Sequence, residues 1–197
     1  MKRILISQRI DTLADRGERH DAVDQRLSCF LDAIGALAFP VPNTLHAAGQ
    51  LDTWLDAVSP EGLVLSGGND IGTQPDRDNT ERALLVWATT RRLPVLGICR
   101  GMQMMGLTAG ARLVQIEGHV RTHHTLSGAL AGKANSFHNY ALETCPDGYV
   151  VLATSEDGAI EAIHHRQLPF EGWMWHPERE IPFSARDLNR AREIFYA

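Results

Sequence analysis

Apolar residues fall in short blocks separated by polar, glycine- and proline-marked breaks, and their period changes along the chain. Ile4–Ser7, Gly62–Leu65 and Val95–Ile98 carry apolar runs of strand length, as expected of strands buried on both faces. From His20 to Ala38, the residues Val23, Leu27, Phe30, Leu31, Ile34 and Leu37 recur at helical spacing and predict one helix. The polar stretch Gln8–Arg19 between these two reads as a loop, and Phe39–Val41 between prolines as a short strand. Trp54–Val58 suggests a short helix. Thr80–Arg92 predicts another, with Leu84, Leu85, Trp87 and Ala88 inward and Pro94 as its stop. Arg100–Ala109 continues the helical pattern after the third run. Beyond Gly110 the helical signal fades. Arg112–Ile116, Tyr149–Ala153, Ala159–His164 and Phe170–Trp175 read as strands, and Asp187–Tyr196 as a closing helix. This alternation predicts an α/β fold with a mostly parallel, doubly wound sheet flanked by helices, and additional antiparallel strands in the C-terminal half.

Composition narrows the picture without changing it. The 197 residues suit a single domain spanning 1–197. A formal charge of −5 argues against a protein that coats nucleic acid, which needs a basic face. Met1-Lys2-Arg3 is followed by three apolar residues only, too few for a secretory signal, and no run reaches the length of a membrane span. A cytoplasmic protein without membrane contact is the expectation. Cys29, Cys99 and Cys145 form no CxxC pair, so neither a disulfide framework nor a thiolate zinc site is suggested. Cys29 falls in an apolar helix pattern and Cys145 precedes a proline, and both read as structural.

Cys99 differs from them. Gly97-Ile98-Cys99-Arg100-Gly101-Met102-Gln103 leaves an apolar strand and opens a helix, which is the arrangement of a nucleophile elbow. Glycines on either side let the chain turn sharply, the helix N-terminus favours thiolate, and the Arg100 amide is placed to donate to an oxyanion. Trp175-His176-Pro177-Glu178 follows a strand. An extended segment would project His176 and Glu178 to one side, which suits a base and the carboxylate that orients it. Ser66-Gly67-Gly68-Asn69-Asp70 is a turn at the end of another strand, and Asn135-Ser136-Phe137-His138-Asn139-Tyr140 is a polar segment between strands.

These four segments, in this order, resemble the class I glutamine amidotransferases and their γ-glutamyl hydrolase relatives, whose sheet is flavodoxin-like. The resemblance implies a catalytic triad of Cys99, His176 and Glu178. It implies an oxyanion hole from the Gly68 and Arg100 amides, and substrate contacts from Gln103, Asn135, Ser136 and His138. It implies a small-molecule γ-glutamyl substrate and no cofactor, with a synthetase partner possible but less favoured, since no synthetase domain is present.

Further segments, including Ser7-Gln8-Arg9, His20–Arg26 and Trp173–Glu180, resemble the branch of the family that releases cytidine diphosphoramidate from a γ-glutamyl conjugate for bacterial surface polysaccharides. A γ-glutamyl-γ-aminobutyrate hydrolase is the alternative. A diphosphate needs cations, and Arg9, Arg16, Arg19 and Arg26 follow the first strand, Arg9 nearest its end. His119, His123 and His124 cluster in one polar segment. No cysteine or carboxylate set accompanies them in sequence, so a solvated or substrate-facing loop is expected there, and no metal.

Overall fold

The three apolar runs become the centre of one large sheet in the computed structural model, which describes Met1–Ala197. Strand β1 (Lys2–Ser7) leads into a hairpin of β2 (Arg9–Leu13) and β3 (Glu18–Ala22), then helix α1 (Gln25–Ala33) and β4 (Ala36–Val41). Two short helices, α2 (Thr44–Ala47) and α3 (Leu51–Val58), precede β5 (Gly62–Leu65). The long α4 (Pro75–Arg91) returns the chain to β6 (Val95–Ile98), and α5 (Arg100–Thr108) follows at once. The rest is mostly strand: β7 (Leu113–Gln115), β8 (Val120–Gly128), β9 (Gly132–Phe137), β10 (Tyr140–Leu142), β11 (Tyr149–Thr154), β12 (Ile160–His165) and β13 (Phe170–Trp173). A 3-10 turn at Pro177–Arg179 and helix α6 (Ala185–Tyr196) complete the chain.

The main sheet has nine strands in the order β4-β1-β5-β6-β13-β12-β11-β8-β9. Ladders from β4 to β13 are parallel, and those from β13 to β9 antiparallel. Taken in chain order, the five parallel strands follow the 2-1-3-4-5 winding of flavodoxin-like sheets. Alternate residues of β1 show why both faces must be covered. Ile4 and Ile6 pack with Phe30, Leu31 and Phe195 of α1 and α6, whereas Leu5 packs with Leu55, Leu84 and Met105 on the side of α3, α4 and α5. Each such side chain contributes roughly 1.5–3 kcal/mol when fully buried, so neither face tolerates exposure. No helix is long and apolar enough to cross a membrane.

Several local expectations change. The stretch Gln8–Arg19 is not a loop but most of the β2–β3 hairpin, whose largely exposed strands give no alternation to read. The helix expected over His20–Ala38 is confined to Gln25–Ala33. Asp24 caps its start by accepting from the Arg26 amide, and Gly35, at φ +86°, takes the left-handed turn that ends it. Leu37 then belongs to β4, paired with Arg3 of β1; its helical spacing was coincidental. Helix α4 begins five residues before Thr80, with Pro75 in its first turn. The segment around His119–His124 is not a loop either, because β8 and β9 form a hairpin there. Cys29 and Cys145 are exposed rather than packed.

Candidate active site

Three segments leave the carboxyl ends of parallel strands β5, β6 and β13, and a fourth comes from the end of β9 to meet them in one place. The sharpest is the turn from β6 into α5. Cys99 sits at φ +50°, ψ −105°, a conformation that costs a non-glycine residue about 1–3 kcal/mol. The surroundings enforce it. The Cys99 amide donates to the Trp173 carbonyl, and the Cys99 carbonyl accepts from Gln103. A β-carbon on Gly101 would stand 2.1 Å from the Leu65 carbonyl oxygen, and one on Gly97 would lie 2.5 Å from the Met105 sulfur. The two flanking glycines are therefore required by close packing of helix on sheet, with Cys99 lifted between them.

His176 follows β13 and faces the same cavity as Cys99, about 160 Å³ in volume and also lined by Gly68, Gln103, His138 and Arg179. Its Nδ1 lies 2.7 Å from Glu178 Oε1, which leaves Nε2 for the thiol. Glu178 is in the 3-10 turn rather than in an extended segment, so the turn, not strand alternation, brings the carboxylate back to the ring. Burial pulls the His176 pKa down. Hydrogen bonds to Cys99 and Glu178, with the charge attraction of both, outweigh this and push it up to about 9.

The Ser66–Asp70 turn lies across from the thiol. Its carbonyls at Ser66 and Gly67 accept hydrogen bonds of 2.7 and 2.9 Å from the fully buried Arg77 guanidinium of α4. Across a trans peptide the N–H points opposite to the C=O, so the Gly68 N–H is turned away from Arg77. Gly68 has φ +99°, and any side chain there would crowd Arg9 and Arg77. Arg77 also bonds Glu81 at 2.9 Å, Glu81 accepts from Ser7 Oγ at 2.8 Å, and Ser7 Oγ accepts from the Ser66 amide. The Arg100 side chain, buried beneath the elbow, pairs with Asp78 and Glu81. Two cations and two anions thus lock the turn, α4 and the elbow together.

The structure brings Cys99, His176, Glu178, Gly68, Gln103 and His138 to one site, with the Arg100 backbone beginning α5 beside Cys99. Gln103 Nε2 donates to the Tyr140 carbonyl at 2.9 Å, which braces the far wall. The Asn135 and Ser136 side chains make their hydrogen bonds within the protein. Asn135 accepts from the His176 amide at 2.9 Å and donates to the His176 carbonyl at 2.8 Å and to Glu180 at 2.6 Å. Ser136 donates to the His119 carbonyl at 2.7 Å. Both are buried and fully engaged with the protein, Asn135 as a clamp on the backbone of His176.

Arg9 lies in a small adjoining cavity with Gly67, Gly68, His176, Glu178 and Arg179. It pairs with Asp11 at 3.0 Å, and Arg16 and Arg19 pair with Asp15 and Asp76. Sequence reading passed over Arg179, whose guanidinium stacks 4.5 Å from the Phe137 ring at the rim, and it passed over Arg77, Asp78 and Glu81. Their spacing on one helix face was the available signal. Two hollows of about 650 Å³ along α4 are larger than the active-site cavity, but neither contains a cysteine or serine.

A doubly wound α/β protein with a thiol, imidazole and carboxylate in a row at its strand ends is the class defined so far. Residues 21–182 match the family "Glutamine amidotransferase class-I", and the chain belongs to it. The chain is 34% identical to a γ-glutamyl-CDP-amidate hydrolase of Campylobacter jejuni over 60% of its own length and 62% of that enzyme's. It is 32% identical to anthranilate synthase component 2 of Azospirillum brasilense, over 69% of this chain and 81% of that one. It is 34% identical to a subunit of the glutamine-hydrolysing GMP synthase of Methanosarcina barkeri, over 70% and 72% respectively. Among solved structures, a candidate GMP synthase subunit from Thermoplasma acidophilum superposes with a TM-score of 0.72 at 24% identity, covering 98% of this chain and 94% of that chain. A Thermotoga maritima glutamine amidotransferase gives 0.65 at 14%, covering 98% and 83%.

Proposed function

We propose that this chain is a stand-alone, single-domain cysteine hydrolase of γ-glutamyl amides, acting in the cytoplasm. Cys99 is the nucleophile, His176 the base and Glu178 its orienter. The observation that carries the reading is the buried His176, held by Glu178 and raised to about 9 by a thiol presented on a strained turn.

In the first half-reaction His176 accepts the Cys99 proton and the sulfur attacks the γ-carbonyl carbon. The carbonyl π pair moves onto oxygen, where the Gly68 and Arg100 amides donate to it. One such donor is typically worth roughly 2.7–4 kcal/mol. The intermediate collapses as the C–N bond breaks, and His176 returns its proton to the departing nitrogen. The γ-glutamyl thioester is then hydrolysed by a water that His176 deprotonates, which releases glutamate and restores the thiol. The chain's own residues supply every proton transfer, so the reading requires no cofactor.

For the leaving group we favour a nucleotide diphosphoramidate, with γ-glutamyl-CDP-amidate as substrate. Arg9 and Arg179 stand at the catalytic rim, and Arg9, which pairs with Asp11 in the free protein, would exchange that carboxylate for phosphate oxygens matched to its planar fork. The likeness to the Campylobacter jejuni hydrolase supports the same choice. The relatives that belong to synthases favour a second reading, a glutaminase that passes ammonia to a synthetase partner.

The purified chain, without a partner, should be assayed on γ-glutamyl-CDP-amidate, γ-glutamyl-γ-aminobutyrate and glutamine. The expected order of kcat/KM places the first highest, and Arg9→Ala should lower that value about tenfold while sparing the other two. Cys99→Ser should remove turnover of all three. Glutamine turnover that appears only on adding a synthetase would establish the second reading, and undiminished activity of Cys99→Ser would dismiss both.

A further inference from the structure

Behind the cavity wall, three buried side chains meet with no donor between them. His119 precedes β8, His138 lies in the β9–β10 turn and Glu161 belongs to β12; they are 1%, 3% and 1% exposed. His119 Nδ1 and His138 Nε2 each stand 3.4 Å from Glu161 Oε1, beyond ordinary hydrogen-bond length, and none of these three atoms has a hydrogen-bond partner.

The other ring nitrogens are engaged. His119 Nε2 lies 2.9 Å from Asp157 Oδ2, and His138 Nδ1 lies 3.1 Å from the Tyr140 carbonyl oxygen. A carboxylate and a carbonyl only accept, so the ring protons sit on those nitrogens. His119 Nδ1 and His138 Nε2 are then both directed at the same carboxylate oxygen, and none of the three atoms is satisfied. A single cation placed between them satisfies all three.

We propose that His119, His138 and Glu161 form a binding site for a divalent transition-metal ion of the zinc type. Two imidazoles and a carboxylate are a donor set suited to zinc. Donors about 2.1 Å from a tetrahedral ion stand roughly 3.4 Å apart, the spacing found from Glu161 to each ring. The third pair, within 4.8 Å, closes as the rings draw onto the ion. Asp157 and the Tyr140 carbonyl already orient the rings as outer-shell partners of metal-bound histidines do. The site ties β8, the β9–β10 turn and β12 together, and His138 belongs to both this site and the wall facing Cys99. The ion is structural, and its site stands apart from the amide chemistry.

The test uses the full chain without an affinity tag and with Cys29, Cys99 and Cys145 each changed to serine, so that no thiol can bind metal. After chelator treatment and dialysis, zinc is titrated against a chromogenic chelator. About one equivalent should bind, and the cobalt(II) form should show the intense visible bands of a four-coordinate ion without thiolate absorption. His119→Ala and Glu161→Gln should each weaken binding at least about 100-fold, since loss of an outer-shell partner alone costs 10–100-fold. Glu161→Gln also guards against simple misfolding, because its amide N–H groups can donate to the two bare ring nitrogens. In the metal-free protein it should raise the Tm. Uptake below a tenth of an equivalent, uptake unchanged in both variants, or a lowered Tm in metal-free Glu161→Gln would each overturn the proposal; the last would mean that protonated rings need the carboxylate.

Discussion

Two buried polar clusters border the same cavity, and they are built on opposite principles. Under the parallel strands, Arg77 and Arg100 face Asp78 and Glu81, with Ser7 and Ser66 completing the network, so two cations meet two anions and only Arg100 Nε is left without a partner. In the antiparallel half, His119, His138 and Glu161 bring three buried polar atoms together with no hydrogen bond among them. A matched cluster is complete as the chain folds and can serve as a rigid base for a reacting site. An unmatched one spends free energy until something cationic enters. The first places the Gly67–Gly68 turn and the elbow; the second borders the wall opposite.

The contrast is most strongly tested by removing one member of the matched cluster. Arg77→Met leaves a buried negative charge uncompensated and frees the two turn carbonyls. A loss of about 3–5 kcal/mol is expected, seen as a fall in Tm of roughly 6–20 °C, with a large drop in kcat. A change under about 1 kcal/mol would show that the network is not what holds the turn.

Asn135 joins the antiparallel half to His176, the proposed base, and its removal should separate positioning from binding. Asn135→Ala should lower kcat about 10–100-fold, the scale of a misplaced catalytic group, with little change in KM. A rise in KM at constant kcat would return Asn135 to substrate contact.

A third measurement varies pH. The folded-state pKa of His176 lies above its ordinary 6.5, at about 9. Between those values the native state holds a proton that the unfolded state has lost, so stability declines as pH rises. The His176 contribution is whole below about pH 6.5 and gone above about 9. Urea midpoints of the wild type and His176→Gln should therefore converge through that window, and divergence would contradict the assignment.

The smallest effect has the opposite sign to the first. In metal-free protein, Glu161→Gln should stabilise by about 1 kcal/mol, the typical net worth of a gained hydrogen bond. Equal destabilisation by Arg77→Met and Glu161→Gln would abolish the distinction between the clusters.

Legibility in the sequence tracked the same division. Runs such as Val95–Ile98 are apolar because both faces of their strands are covered, so β1, β5 and β6 could be read directly. The Cys99 turn was readable because only glycine fits where Gly97 and Gly101 approach Met105 and Leu65. The β2–β3 hairpin escaped notice because its strands are largely exposed and polar, and the β8–β9 hairpin because β8 is mostly polar and two of the buried residues of β9, Asn135 and Ser136, are polar as well. The first turns of α4 escaped for another reason. Arg77, Asp78 and Glu81 look like a solvated helix face, yet they are buried because Arg100 comes from elsewhere to meet them.

By itself, then, the amino-acid order marked the buried runs of β1, β5 and β6 and the bend at Cys99, and family resemblance named His176 and Glu178 as its expected partners. These depend on local apolar period, on backbone room and on side-chain chemistry. Only the tertiary structure decided that Asn135 clamps histidine rather than substrate, that Arg77 holds the Gly67–Gly68 turn, and that His119 and His138 meet Glu161. Such roles are set by which distant groups share a buried volume, where a polar atom must find a partner or go without. Spacing along the chain carries no record of that proximity.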